Sequence, residues 1–308
     1  MSPTDSYLFL NNLRFHYLNW GGEGRPLVLL HGLSSNAHIW DYVAPGLAAA
    51  GFRVLALDQR SHGLTDRADD GYDFPTIVRD LHAFVETLDL QKPILVGHSW
   101  GASTVLQYAV ARPSEPAGIV LVDGGFSEMS SAPGMTWEKA ERMLRPPDLD
   151  GMPRDEFLEK LQGWLGDLYS DETARIILAN FLIAEDDTVR RRLPIPHHMQ
   201  IVHAIYEQKT SDLYVRLRCP ALLCPAIPPP PHDENAEQFL ARKREGVARA
   251  EQASPLVKTL WFEDTVHDIP LYRPAELTKV IADFARSAPI VDRDEPPIRN
   301  QQSTPRTR

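Results

Sequence analysis

The sequence predicts an α/β protein with a doubly wound, mostly parallel sheet of eight strands and an inserted helical cap. Short, wholly apolar runs alternate with helical stretches along most of the 308 residues, a pattern typical of a parallel sheet covered on both faces. Between residues 127 and 215 the alternation stops, and helical patterns follow one another with no buried strand. We expect that stretch to be a helical cap over the carboxyl edge of the sheet, where ligands bind in such folds.

The predicted elements follow in order along the chain. Two alternating stretches around Asn11-Asn12 predict a β-hairpin, and the later apolar runs predict buried strands. Gly51 is a typical helix C-terminal residue, and Pro75 is a typical first helical residue. The predicted strands are 7–10, 13–20, 27–30, 54–57, 94–96, 119–122, 221–224 and 257–262. The predicted helices of the core are 38–50, 75–88, 102–111, 234–253 and 275–285.

These patterns divide the chain into four parts. Residues 1–126 form the first part of the α/β core, 127–215 the helical cap, and 216–288 the second part of the core. Residues 289–308 are polar and contain several prolines, so we expect a disordered tail. No internal repeat is visible.

Composition narrows the class of partner. The net charge is −10 and 43% of residues are hydrophobic, with no basic patch for nucleic acid and no apolar run of about 20 residues for a membrane. No secretory signal is visible, and we expect a cytoplasmic protein without a disulfide between Cys219 and Cys224, whose side chains would face opposite ways. We expect a partly apolar small-molecule substrate; nothing indicates a metal or an organic cofactor.

The strongest motif is the pentapeptide Gly97-His98-Ser99-Trp100-Gly101. It follows a predicted strand and precedes a predicted helix, which is the context of a nucleophile elbow. The elbow exposes a serine hydroxyl at the end of a strand, and side chains at the two glycine positions would collide with neighbouring backbone. We therefore predict that Ser99 is a nucleophile.

A serine nucleophile needs a base, which itself needs an orienting acid. His267 is the candidate base because it follows the last predicted strand and so reaches the same sheet edge as Ser99. His197, His198 and His203 lie in the cap, without carboxylate or cysteine residues at metal-ligand spacing.

The acid has two main candidates. Asp123 directly follows a buried strand, and the Gly-Gly after it allows a tight turn, so we favour it. Asp233 is the rival, although its sequence context is that of a helix N-cap. Asp264 and Asp268 are near His267 in sequence but are poorly placed to orient it.

An oxyanion on the substrate requires backbone N–H donors. We expect one from Trp100, the residue after the nucleophile, and the other from Leu33 in the loop after the strand at 27–30. Gly32 would let that loop approach closely.

Together these features resemble the α/β-hydrolase superfamily over most of residues 7–287. In similar proteins the motif that corresponds to Asp58-Gln59-Arg60-Ser61-His62-Gly63 usually has a glycine where this chain has Ser61. Family precedent gives that motif a structural role at the site entrance. Many relatives take the acid from a G-x-x-D motif after the penultimate strand, which is missing here, whereas some take it from the preceding strand, as Asp123 would supply. The resemblance is carried by His31-Gly32 with Trp40, Asp58-Gln59-Arg60-Ser61-His62-Gly63, Gly97-His98-Ser99-Trp100-Gly101 and His267.

The resemblance implies acyl transfer to water. Capped haloalkane dehalogenases and epoxide hydrolases of this fold use an aspartate nucleophile, so Ser99 favours a carboxylesterase or lactonase instead. A carbon–carbon bond hydrolase or a cofactor-free perhydrolase would use the same residues. A ligand-binding receptor on this fold is the alternative outside enzymes. Trp137, Trp164 and Phe181 suggest an apolar pocket, although packing inside the cap is the more common role for each.

Overall fold

The structure, a computed structural model, describes residues 2–289. The tail predicted to be disordered falls, except for Pro289, outside these residues. Within them the strands are β1 Thr4–Leu10, β2 Leu13–Gly21, β3 Pro26–Leu30, β4 Arg53–Leu57, β5 Ile94–His98, β6 Gly118–Val122, β7 Met152–Pro153, β8 Phe181–Ile183, β9 Thr188–Arg191, β10 Ala221–Cys224 and β11 Val257–Thr259. The helices are α1 Ala44–Ala49, α2 Phe74–Thr87, α3 Trp100–Ala111, α4 Trp137–Leu144, α5 Arg154–Leu165, α6 Asp171–Leu178, α7 Ile195–Glu207, α8 Thr210–Arg216, α9 Glu234–Ala253, α10 Ile269–Tyr272 and α11 Pro274–Ser287.

Eight strands form one sheet in the order β1-β2-β4-β3-β5-β6-β10-β11. The first hairpin pairs antiparallel and β2 pairs antiparallel with β4, whereas every pair from β4 to β11 is parallel. The eight-stranded, mostly parallel sheet predicted from the apolar runs is therefore confirmed. Because the strands are parallel, the loops after β3, β4, β5, β6, β10 and β11 all emerge at one edge.

Successive side chains of the central strands pack on opposite faces of the sheet, as strand geometry requires. Val28 and Leu30 join one buried cluster with α2, α3, α8 and α9, while Leu27 and Leu29 join another with α1, α10 and α11. All four of these leucine and valine side chains are fully buried. Because β3 is buried on both faces, its sequence is a continuous apolar run and does not alternate.

The predicted helix 38–50 is broken in the structure. A short 3-10 helix, Ala37–Trp40, is capped by the Asn36 side chain, and α1 begins separately with Pro45 in its first turn. Proline is favoured at a helix start because it lacks an N–H that would have no partner there. The prediction of one continuous helix was therefore wrong.

The segment between β6 and β10 contains strands as well as helices. Its strands form a separate sheet in the order β7-β9-β8, which is antiparallel throughout. This corrects the expectation of helices alone: strands of two to four residues are too short to show an alternating pattern. No helix among residues 2–289 is both long and apolar enough to cross a lipid bilayer.

Candidate active site

The elbow serine has strained backbone geometry between β5 and α3. Ser99 has φ 54° and ψ −115°, a combination that residues with a Cβ rarely adopt and that often marks functional sites. Its backbone N–H donates to the carbonyl of Val122 at 2.8 Å, which ties the turn to the end of β6. The side chain is half-buried. The predicted strand, turn and helix around Ser99 are all present.

Both glycines of the pentapeptide are required by close backbone contacts. A Cβ on Gly97 would lie 2.1 Å from the carbonyl oxygen of Gly101. A Cβ on Gly101 would lie 2.6 Å from the carbonyl oxygen of Leu30. These distances are well inside van der Waals contact, so the elbow can form only without side chains at these two positions.

His267 and Asp123 meet at the same sheet edge. His267 lies in the loop between β11 and α10, and Asp123 directly follows β6. The Nδ1–H of His267 donates to Oδ2 of Asp123 at 2.7 Å. The Asp123 side chain is 4% exposed and that of His267 is 52% exposed. With its Nδ1 proton committed to a carboxylate, the neutral imidazole keeps its lone pair on Nε2.

The second carboxylate oxygen of Asp123 is also fully engaged. Oδ1 accepts from the backbone N–H of Ala226 at 2.9 Å and from Nζ of Lys243 at 2.7 Å. Burial alone would raise the pKa of Asp123, but the His267 hydrogen bond and the Lys243 charge outweigh it and lower that pKa to about 2. For His267, desolvation lowers the pKa, and the Asp123 carboxylate outweighs it, so the pKa is raised. Asp123 is therefore an ionised partner for the imidazole.

The two predicted oxyanion donors belong to segments that adjoin Ser99. Trp100 is the first residue of α3, and Leu33 is in the loop after β3. A Cβ on Gly32 would be 3.1 Å from Cβ of Ser99, so this loop lies against the serine. Neither the Leu33 nor the Trp100 N–H donates to another group among residues 2–289. An oxyanion site requires backbone N–H groups that are not already engaged in this way.

The structure does not join Ser99 to His267 directly. Within the described residues the Ser99 hydroxyl makes no hydrogen bond to the imidazole. Hydrogen bonds of this kind are often long or absent in free enzymes and form only with substrate bound.

The competing carboxylates have other partners. Asp233 caps α9 by accepting from the N–H of Ala236 at 2.8 Å, as its sequence context predicted. Oδ1 of Asp268 is 3.8 Å from Nε2 of His98. In the part of the chain that the structure describes, Asp123 is the carboxylate that hydrogen-bonds the His267 ring.

Sequence reasoning missed two residues of this site, His98 and Lys243. Nε2 of His98 donates to the backbone carbonyl of His267 at 3.0 Å and so tethers the loop that carries the imidazole. Burial lowers the pKa of His98 to about 4, so it stays neutral near pH 7. Lys243 could have been found, because α9 buries Leu240, Val247 and Ala250 on the same helical face.

A family model for the alpha/beta hydrolase fold matches residues 25–191, which is more than half of the chain. The chain belongs to the alpha/beta hydrolase family. The match includes the elbow, Asp123 and the loop after β3.

Curated relatives share short stretches with this member of the family. A putative non-heme chloroperoxidase from Synechocystis sp. is 40% identical over 94 residues, 30% of this chain and 34% of that protein. Epoxide hydrolase A from Mycobacterium tuberculosis is 35% identical over 107 residues, 34% of this chain and 33% of that protein. The matched stretch is thus about a third of the length of each of these two relatives.

Solved structures match this chain over nearly its whole length. E-2-(Acetamidomethylene)succinate hydrolase superimposes with a TM-score of 0.73 at 18% identity, covering 92% of this chain and 100% of that one. At this identity the likeness concerns the fold.

The loop after β4 has a structural role in this family member. Oδ1 of Asp58 accepts from the N–H of Ala37 at 2.7 Å, and Oδ2 accepts from the N–H of Leu64 at 2.8 Å and from Nδ1 of His16 at 2.7 Å. Ser61, at the position where similar proteins usually have glycine, has φ 64°. That left-handed conformation explains the usual glycine.

Histidines of the inserted segment hold it against the sheet edge. Nδ1 of His198 lies 2.8 Å from Oγ of Ser34, and Nδ1 of His197 lies 3.0 Å from the Tyr72 hydroxyl. Among residues 2–289 no group of three or more His, Cys, Asp or Glu side chains is arranged to hold a metal ion.

The aromatic residues of the inserted segment contact one another or their neighbours within it, the role considered the more common for each, and Trp164 remains 57% exposed. Phe181 contacts Phe157 with ring centroids 4.7 Å apart, and Trp164 lies 6.3 Å from the same ring. Trp137 packs edge-on against His203.

Proposed function

We propose that this protein is a serine hydrolase that cleaves a small-molecule carboxylic ester or lactone through an acyl-enzyme intermediate. The observation that carries the proposal is the 2.7 Å hydrogen bond between Asp123 and His267, formed at the same sheet edge as the strained Ser99. A serine hydroxyl is a weak nucleophile and needs an oriented base beside it. The chain order serine, acid, histidine is that of the α/β-hydrolase triad.

In the proposed reaction Oγ of Ser99 attacks the substrate carbonyl carbon while Nε2 of His267 takes the hydroxyl proton. The carbonyl oxygen becomes negatively charged and accepts hydrogen bonds from the N–H groups of Leu33 and Trp100. The carbon–oxygen ester bond then breaks, and the leaving alkoxide takes the proton from His267. Asp123 stabilises the imidazolium formed between these steps.

Water completes the turnover. It gives a proton to Nε2 of His267 as its oxygen attacks the acyl carbon on Ser99. The second tetrahedral intermediate releases the carboxylic acid, and Ser99 recovers its proton from the imidazolium. No oxidant, metal or organic cofactor takes part in this sequence.

An apolar group on the substrate is favoured by the side chains beside the elbow. Trp100 packs in a buried cluster with Leu193 and Ile201 of the inserted segment, and Leu33 and Ile205 lie against it. The partly exposed side chains of Leu33 and Ile205 therefore give this side of the elbow a small apolar surface. A substrate with an apolar acyl or alcohol group fits this surface better than a highly charged one.

Labelling with a fluorophosphonate tests the proposal, because the reagent reacts preferentially with an activated serine. Mass spectrometry of the wild-type protein is expected to show one adduct, on Ser99. Ser99→Ala is expected to show none and to lose hydrolysis of p-nitrophenyl esters while keeping its circular dichroism spectrum. Ester hydrolysis retained by Ser99→Ala would refute the mechanism. A folded wild-type protein that takes no label would favour a ligand-binding receptor.

A cofactor-free perhydrolase is the second candidate, favoured by the similarity to a protein named as a putative non-heme chloroperoxidase. Hydrogen peroxide would replace water on the acyl-enzyme and release a peracid, which oxidises halide. Three assays on one preparation separate the candidates. Hydrolysis of esters tests the esterase, halogenation with peroxide tests the perhydrolase, and cleavage of vinylogous diketones tests carbon–carbon hydrolysis. The epoxide hydrolase similarity does not extend to the nucleophile, because the elbow here carries serine.

A further inference from the structure

Lys243 is a buried cation at the back of the proposed triad. It lies on α9 among Leu240, Val247 and Ala250, and its side chain is 6% exposed. Its Nζ also lies 5.4 Å from the ring centroid of Phe239 on the same helix. An isolated ammonium in such a place is unfavourable unless it is paired and hydrogen-bonded, so its partners define its role.

The two carboxylate oxygens of Asp123 have different hydrogen-bond donors, and Lys243 binds only one of them. Nζ donates to Oδ1 of Asp123 at 2.7 Å and to the carbonyl of Ala226 at 2.8 Å. The N–H of Ala226 donates to the same Oδ1 at 2.9 Å. Two donors therefore hold Oδ1, and Oδ2 is left for Nδ1 of His267.

We propose that Lys243 is a positioning residue that fixes the Asp123 carboxylate toward His267 and places a positive charge on the opposite side of that carboxylate. Without the ammonium, Oδ1 would keep one donor, and rotation about the carboxylate would weaken the bond to His267. The proposal depends on the proposed function only where hydrolysis is the readout.

Charged and titratable groups from four directions face His267. Asp123 approaches from the end of β6, Lys243 from α9, His98 from the end of β5 and Asp268 from the loop of His267 itself. Both carboxylates raise the pKa of His267, and Lys243 opposes them. Removing the lysine charge is therefore expected to raise that pKa.

Nuclear magnetic resonance titration of ring-labelled histidine tests this without any substrate. The His267 signal is assigned by its loss in His267→Gln. We expect Lys243→Met and Lys243→Gln to titrate His267 at a higher pH than the wild type, and Lys243→Arg to leave the titration unchanged. Arg242→Met, an exposed change on the same helix, is the matched control. An unchanged His267 titration in both Lys243→Met and Lys243→Gln would overturn the charge effect.

Kinetics test the positioning effect. Lys243→Met is expected to lower kcat/KM about 10- to 100-fold, the loss typical of one charged hydrogen bond, and to move the acidic limb of the pH profile upward. Lys243→Gln keeps a donor without the charge, so it should recover much of the rate while the limb stays displaced. If Lys243→Met and Lys243→Gln lowered kcat/KM equally and did not move the acidic limb, Lys243 would contribute packing alone.

These readouts separate the two proposals. If the wild type hydrolyses no ester, the proposed function fails, but the histidine titration still decides the role of Lys243. If Lys243→Met does not fold, the Gln and Arg variants supply the same comparison. Thermal unfolding of each variant shows which of them retain the native state.

Discussion

Asp123 Oδ2 accepts a hydrogen bond from His267 Nδ1 at 2.7 Å, although the two residues are 144 positions apart. The sheet makes this possible, because β6 and β11 are both neighbours of β10 and run parallel to it. The loops that follow β6 and β11 therefore lie at the same edge of the sheet. The bond fixes the imidazole tautomer that a general base for Ser99 would need.

Asp123→Asn is expected to reduce kcat for ester hydrolysis by about 10⁴-fold, because an amide stabilises the wrong imidazole tautomer and no imidazolium. Steady-state kinetics on a p-nitrophenyl ester provide the measurement. Asp233→Asn is the matched control: the same chemical change at the start of α9, where asparagine caps as well as aspartate. We expect it to retain wild-type kcat. If Asp233→Asn lost activity and Asp123→Asn kept the wild-type kcat, Asp233 would be the acid.

The sequence predicted the parts of this site that depend on local pattern. Uninterrupted apolar runs identify buried parallel strands, and the glycine spacing around Ser99 identifies the elbow, because both follow from short-range sterics. The choice of Asp123 over Asp233 also rested on local signals: a strand end for one and a helix start for the other. Both placements agree with the structure.

The parts that escaped prediction depend on distant contacts. Lys243 contacts Asp123, which is 120 positions away in the sequence. A single lysine in a helical pattern is usually predicted to be exposed to solvent. Its place on the apolar face of α9 was the available signal. The small sheet of the insertion was missed because its strands are only two to four residues long and because β7 pairs with β9 across more than 30 positions, as for Met152 and Val189.

The pH profile of kcat/KM is expected to fall on the acidic side with a midpoint above 6.5. His267 must be neutral to accept the Ser99 proton, and Asp123 raises its pKa above the usual 6.5. Below the midpoint the rate should drop about tenfold per pH unit, since one proton is involved. Asp123, with a pKa of about 2, stays ionised across this range. A limb near pH 4 would point instead to His98, whose pKa is about 4.

Gly97→Ala is expected to destabilise the fold by roughly 2–4 kcal/mol, because the new Cβ would collide with the Gly101 carbonyl. Urea unfolding at neutral pH provides the free energy. Gly163→Ala is the control: Gly163 lies in α5 with no neighbour within 4 Å of an added Cβ, so the change should stabilise by about 0.5–1 kcal/mol. Equal effects at both positions would contradict the close approach at the elbow.

Acid destabilisation is expected to depend on buried histidines, of which His62 is the clearest. Its Nδ1 donates to the Arg60 carbonyl at 2.8 Å and its Nε2 accepts from the Ser34 N–H at 3.3 Å, so the neutral ring is satisfied on both sides. Burial, with His31 nearby, lowers the pKa of His62 from 6.5 to about 3. Between these values the unfolded chain binds a proton that the folded chain does not. Stability should therefore fall as the pH drops from 6.5 toward 3, by up to about 1.4 kcal/mol per unit for this one group.

The change His62→Gln isolates that contribution, because glutamine keeps one donor and one acceptor but cannot titrate. Urea unfolding of wild type and variant across the acidic range gives the free-energy difference at each pH. The variant should lose less stability than the wild type below 6.5 and run parallel to it at higher pH. His203→Gln, at a side chain that is 44% exposed, should follow the wild type throughout. If His62→Gln also followed the wild-type slope, the ring would have to be protonated in the folded protein, and the Ser34 N–H would then have no acceptor at His62.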